Sequence, residues 1–327
     1  MASHPLFKIQ EVPSKGKGAV ALEDIKAGTL IISESIFCEI PLVRPEASKE
    51  QRDSAFQAQL EVLDLHQQQD FFSLENRYPE YNPIEGIMRT NGIALGPKSP
   101  HAAIFLLCSR FNHSCSTNAV YYWNANMSRE TIHAVKEIQE GEEITVSYLS
   151  TEDWIMSREE RRRMISMQHR FSCYCVACIA SPEAVAASDR RRRRIMEMQE
   201  SISEGNLLVH NPRRGLKFCR DVLMLLQLEG EFGAMACVVY FDAFQFCVAN
   251  CDFARASCFA ALYMRKKIFF AGGEVDDYEG VRAFIENPER HDLAGYCSFA
   301  WKTVLRDRRS LDSEGFEQWL WQRVLEG

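Results

Sequence analysis

Three stretches decide how this chain reads: Asn112-His113-Ser114-Cys115, Gly141-Glu142-Glu143-Ile144-Thr145-Val146-Ser147-Tyr148, and Cys173-Tyr174-Cys175-Val176-Ala177-Cys178. The third is the most legible chemically. Cys173, Cys175 and Cys178 form C-x-C-x-x-C within six residues. Three thiols this close cannot all pair with one another, and short loops strain disulfides. As thiolates they suit Zn²⁺, which takes four tetrahedral ligands, so one position is left to fill. A plainer account makes them buried cysteines acting as small apolar side chains. It explains each cysteine but not their spacing.

Outside these stretches the chain reads as globular. Its 327 residues are enough for two ordinary domains with real cores. Hydrophobic residues at 46% and charged residues at 25% exclude a disordered chain. No apolar run reaches membrane-spanning length, and Met1 to Pro13 does not read as a signal peptide. Twelve cysteines without secretory features imply a reducing compartment and mostly free thiols. A net charge of −7 argues against broad nucleic-acid binding.

Residues 1–42 are β-rich. Phe7 to Glu11 reads as a strand, Lys15-Gly16-Lys17-Gly18 as a tight turn, and Thr29 to Ser33 as a further strand. From Glu46 to Tyr78 the pattern is polar and helix-like, with Leu60, Leu63 and Leu65 as packing residues. A helix is expected over His101 to Phe111, and strands over Ala119 to Trp123, Thr131 to Val135 and Ile144 to Ser147. Beyond Pro182 the patterns are helical. Residues 234–249 are almost wholly apolar, which predicts a buried helix. Asp252 is the expected N-cap of a second helix reaching Phe270, and Glu314 to Leu325 reads as the last. The run Arg190 to Arg194 is expected to be a solvated helix start, because consecutive helical residues point all round the axis.

In this order and at these distances the three stretches resemble the SET-domain protein methyltransferases. The layout is similar to SET proteins abundant in filamentous fungi and related to the SET-and-MYND group. The resemblance implies an α+β fold: a SET-type set of small β-sheets with a pseudo-knot and a zinc-binding tail, then an all-α, tetratricopeptide-like C-terminal domain. It divides the chain into a SET domain at 1–182, with a helical insert at about 44–90 and the zinc tail at about 169–180, and a helical domain at 183–327. Cys115 becomes the fourth sulfur beside Cys173, Cys175 and Cys178, and a site with four sulfurs makes the Zn²⁺ structural.

The resemblance also assigns roles around S-adenosylmethionine. Lys15, Gly16 and Lys17 lie in the opening hairpin that approaches the donor's methionine part, where glycine has no Cβ to collide. Asn112 binds the donor's amino-acid end, and His113 meets the adenine through its main chain. Phe171 covers the adenine ring. Tyr148 stands beside the target nitrogen and the transferring methyl, and Tyr121, with Tyr122 and Trp123 as rival wall residues, lines the acceptor channel. The chain departs from the family pattern in three ways. Ser116-Thr117 replace the proline usual before Asn118, His169 stands where close relatives have a donor-contacting tyrosine, and no MYND finger interrupts residues 44–90.

Implied is an S-adenosylmethionine-dependent protein-lysine N-methyltransferase, with a protein or peptide substrate such as a histone tail in the groove. Two alternatives stay open: action on a small molecule or other non-lysine acceptor, and a non-catalytic protein-binding module. A protein partner at the helical domain is expected, a membrane or directly bound nucleic acid is not. The expected location is the nucleus, the cytoplasm or both.

Overall fold

The computed structural model describes residues 6–42, 46–96, 99–230, 233–273, 275, 277–297 and 301–325. The start of the expected insert at 44–45 and the first five residues lie outside the described residues. The chain divides into two compact units. One runs to Trp154 and takes in Glu159–Ile179 and Phe270–Gly272; the other holds Ile155–Arg158, Ala180–Phe269 and the chain from Gly273.

The first unit begins with strands β1 (Phe7–Val12), β2 (Gly16–Ala21), β3 (Leu30–Ser35) and β4 (Cys38–Ile40). Helices α1 (Lys49–Glu61), α2 (Leu65–Phe72) and α3 (Pro83–Asn91) follow, then β5 (Ile93–Ala94), β6 (Ala102–Ile104) and β7 (Asn112–His113). Next come β8 (Ala119–Asn124), β9 (Arg129–Ala134), β10 (Thr145–Val146), α4 (Thr151–Trp154), α5 (Arg158–His169) and α6 (Val176–Ile179). The strands make four small sheets: β1-β2, β3-β9-β8, β4-β6-β5 and the pair β7-β10.

The three insert helices start where their caps place them. Ser48 with Gln51 and Asp64 with Gln67 form reciprocal capping boxes, while Asn82 caps α3 with Pro83 in its first turn. Phe56, Leu60, Leu63, Phe71, Ile87 and Met88 make the insert's own core. Leu65, expected to pack, is instead 79% exposed as the first residue of α2.

His101 to Phe111 is not a helix. Its first half is β6, hydrogen-bonded on both sides by β4 and β5, and only Cys108–Arg110 makes a 3₁₀ turn. The apolar run Ala102–Ile104 completes more hydrogen bonds between two waiting strands than it would alone, so tertiary context overrides local propensity.

The segment that positions the site is the crossing of β7 with β10. They pair in parallel, Asn112 opposite Thr145 and His113 opposite Val146. The amide of Ile144 donates to Ala19 at 2.8 Å, and that of Ala21 to Glu142 at 2.9 Å, so the Gly141 to Tyr148 run lies between the opening hairpin and Asn112. Ala19, Phe105, Phe111, Ile132, Ile144 and Val146 are all buried beneath it.

The second unit is helix-rich: α7 (Pro182–Ser203), α8 (Asn206–His210), α9 (Pro212–Glu229), α10 (Ala234–Ala249), α11 (Phe253–Ala271), α12 (Tyr278–Glu286), α13 (Phe316–Leu320) and α14 (Gln322–Leu325). The apolar stretch at 234–249 is the buried helix its composition predicts. It lies close against α9, where a Cβ on Gly215 would fall 2.2 Å from the Phe246 ring.

Three expectations in this unit need correction. Arg190 to Arg194 lie in the middle of α7, and Arg192 is 2% exposed: it and Arg191 pair with Glu229 at 2.9 and 2.5 Å. Asp252 does precede α11, but its carboxylate accepts from Arg255, Arg323 and the Thr303 hydroxyl, and Thr303 instead accepts the Ala254 amide. The final helix is two short pieces broken at Trp321.

Candidate active site and metal centre

The opening hairpin turns at Lys15-Gly16, where Gly16 has φ +74°, a backbone conformation that glycine adopts without a Cβ penalty. Gly18 has a different reason to be there: a Cβ on it would meet Asn112 Nδ2 at 2.6 Å. That close approach lets the Asn112 amide donate to the Lys17 carbonyl at 3.2 Å and to Glu143 Oε1 at 2.9 Å. The other oxygen of Glu143 accepts from Lys15 Nζ at 2.5 Å. Lys15, Gly16, Lys17 and Asn112 thus come together, Lys17 through its backbone with its side chain exposed. Glu143 was not singled out in the sequence. Its only signal was its place as second glutamate of Gly-Glu-Glu.

Four rings gather where β10 ends. The Tyr148 ring centre is 5.4 Å from His113, 5.0 Å from His169 and 6.3 Å from Phe171. The Tyr148 hydroxyl donates to the Phe111 carbonyl at 2.7 Å, and the Tyr121 hydroxyl to that of Cys108 at 3.1 Å. Burial pushes both phenols up, so each keeps its proton. Burial, with the neighbouring His113, pushes His169 down to about 4, leaving it neutral at physiological pH. Arg77, from the loop before α3, lies 5.3 Å over the Phe171 ring and was not anticipated.

His113 does more than its main chain would. Its ring Nδ1 accepts the Tyr148 amide at 3.0 Å, so Nε2 carries the proton and faces Cys115 Sγ at 3.4 Å. One buried imidazole therefore ties the backbone of Tyr148 to the cysteine cluster.

In that cluster Cys115, Cys173, Cys175 and Cys178 are all buried and their sulfurs lie within 4.8 Å of one another. A single turn, Cys178 N–H to Cys175 carbonyl at 2.8 Å, folds the C-x-C-x-x-C back on itself. The Cys115 amide donates to Cys175 Sγ at 3.3 Å, and Cys115 and Cys178 sulfurs are 3.7 Å apart. Zinc–sulfur bonds of about 2.3 Å would put tetrahedral sulfurs about 3.8 Å apart, so the donor set fits that ion. Hydrogen bonding from Cys115 holds the Cys173 and Cys175 thiols down, while the thiols of Cys115 and Cys178 are held up. Four packed thiols cannot all ionise without a cation among them.

Residues 16–149 match the SET domain model. The chain is 30% identical over 291 residues to histone-lysine N-methyltransferase set5 of Schizosaccharomyces pombe, covering 88% of this chain and 86% of that protein. The chain belongs to the SET-domain family. This SET-domain protein is accordingly a methyltransferase, and enzymes of that family use S-adenosylmethionine. Shorter matches fall to histone-lysine N-methyltransferases SMYD3 and Smyd1 of Mus musculus, at 33% over 96 residues and 34% over 110. Each covers 29% of the SET-domain protein, and 21% and 22% of the relative. No helix among the described residues is long and apolar enough to cross a membrane.

Proposed function

We propose that this protein is an S-adenosylmethionine-dependent protein-lysine N-methyltransferase acting on a basic, histone-like substrate. The observation that carries this is the convergence at the β7-β10 crossing: Asn112 with Lys15 and Glu143 on one side, Tyr148 on the other. The relatives named above, called histone-lysine methyltransferases, support the substrate class.

In this reading Lys15, Gly16, Lys17 and Asn112 hold the donor's amino-acid end. Glu143 joins them, its carboxylate suited to an α-ammonium. His113, His169 and Phe171 enclose the adenine, and Arg77 backs Phe171. The four cysteines would hold a structural Zn²⁺ that fastens the tail. Residues 1–182 serve as the SET domain, with the insert at 44–90 and the zinc tail at 169–180 shaping the groove. The helical region 183–327 is the surface for a protein partner. A nuclear or cytoplasmic location follows from a histone-type substrate.

The donor, when bound, supplies a methyl already activated on a sulfonium. The protein's task is then alignment and exclusion of water. Tyr148 and Tyr121, anchored to the Phe111 and Cys108 carbonyls, present fixed hydroxyl oxygens toward the acceptor nitrogen. A lysine acceptor must first lose a proton, at about 4.6 kcal/mol near pH 7 from its reference pKa of about 10.4. Desolvation between these rings works in that direction.

Labelled methyl transfer to histones, peptides and cell extract tests the reading, alongside donor-binding calorimetry. Tyr148→Phe is expected to lower turnover on the order of 10²-fold while donor binding persists. Donor binding with no labelled protein would reject the lysine assignment.

A further inference from the structure

Glu130 is the least expected side chain in the catalytic unit. It is 1% exposed, and neither carboxyl oxygen has a hydrogen-bond partner among the described residues. Such a group is costly to keep, and cost without a partner calls for a reason.

Its place in the sheet supplies one. On the central strand β9, Glu130 lies directly opposite Glu34 of β3 on one side and Trp123 of β8 on the other. Two residues along, Ile132 lies between Ile32 and Tyr121. Directly opposed residues share a face, as do residues two apart along a strand. Glu34, Glu130 and Trp123 therefore form a row beside the row that ends in Tyr121. Two carboxyls directly opposed across a sheet cannot both ionise without repulsion, so two glutamates here are an arrangement that folding alone does not favour.

The link to the acceptor side is a single residue. Glu34 accepts the Leu107 amide at 3.0 Å and the Cys108 amide at 2.8 Å, and the Cys108 carbonyl receives the Tyr121 hydroxyl. Glu34 and Trp123 are half-buried, so this row reaches the surface while Glu130 lies behind it. The adjacent cation does not neutralise the pair: Arg129 donates to the hydroxyls of Ser33 at 2.7 Å and Ser35 at 2.6 Å. Burial, reinforced by the charge of Glu34, pushes the Glu130 carboxyl up to about 8. The free protein thus holds it largely protonated, and an entering cation would release that proton to solvent.

We propose that Glu34 and Glu130, with the Trp123 ring, form an acidic subsite that receives a second cationic side chain of the substrate, next in space to the methylated lysine. A guanidinium or ammonium would lie over the Trp123 face and between the two carboxylates. This deepens the lysine reading and rests on Tyr121 and Tyr148 lining the acceptor channel.

The test uses the full chain and paired peptides with one methylatable lysine, flanked by arginine or by the uncharged isostere citrulline. A matched set replaces that lysine by norleucine, so that binding with donor present is read by anisotropy without turnover. Wild type is expected to bind and methylate arginine-flanked peptides at least tenfold better, seen in Kd and KM. Glu130→Gln should bring the two flanks within about twofold, and Glu130→Met serves as a second variant should glutamine disturb the sheet, with melting checked for both. Equal handling of the two flanks by wild type overturns the subsite, as does a preference that survives in both folded variants. Absence of methylation with the binding preference intact would sink the lysine assignment and leave the subsite standing.

Discussion

Asp252 and Glu130 are equally buried acids, one in each unit, and the molecule treats them oppositely. Asp252 is fully enclosed yet accepts from Arg255 and Arg323 at 3.1 Å each and from Thr303 at 2.8 Å. Every partner lies on an element that the helical unit must bring together, so that charge closes the fold. Glu130 closes nothing. A satisfied buried charge reads as architecture, whereas an unpartnered buried carboxyl beside a candidate reaction site reads as provision for something that arrives later.

The contrast should break first over metal. Chelation, or Cys173→Ser, is expected to release the cysteine tail and abolish donor binding, while helical-unit melting holds. The binding at stake is on the order of 10–16 kcal/mol for small structural zinc sites. Metal analysis with donor calorimetry and helicity reads both units at once. Retained donor affinity in a metal-free protein would show that the cysteines do not organise the pocket.

Asp252→Ala should come next. It leaves the charge of Arg255, which is 3% exposed, without its carboxylate partner and should cost the helical unit roughly 3–5 kcal/mol in denaturant unfolding. The mirror experiment, Glu130→Gln, should do the reverse. Because the folded carboxyl sits near 8, above the ordinary 4.5, the native state binds the extra proton. The contribution of Glu130 to native stability is therefore fullest below pH 4.5 and declines as pH rises toward 8. Removing the ionisable group should stabilise the catalytic unit by on the order of 4 kcal/mol at pH 7.5, shrinking to about 1 kcal/mol near pH 5. A pH-independent difference would contradict the burial cause. Smallest is Gly18→Ala, expected to cost about 1 kcal/mol of stability while displacing the Asn112 amide and weakening donor affinity, as calorimetry would read.

How much was legible in the sequence followed the reach of each interaction. The C-x-C-x-x-C signal is local, and with the Asn-His-Ser-Cys stretch it led to four sulfurs that do come together. The apolar run at 234–249 likewise carries its own burial. What failed was long-range. His101 to Phe111 looks helical until β4 and β5 are in place on either side of it. Arg192 looks solvated until Glu229, from the end of α9, reaches it. The Asp252 carboxylate looks like a helix cap until Arg323 arrives from α14. No window of sequence contains those pairs. Among the candidate site residues, Asn112 and Tyr148 were visible by motif, whereas Glu143 and Arg77 matter through what they touch.

The imidazole of His113, wedged between Cys115 and Tyr148, has a bearing on biogenesis. The sulfurs it abuts are spread from Cys115 to Cys178. A nascent chain still tethered inside the ribosome therefore lacks the tail sulfurs against which Cys115, and through it the histidine, is set. The four-sulfur cluster that His113 abuts is therefore complete only once the last cysteine has emerged.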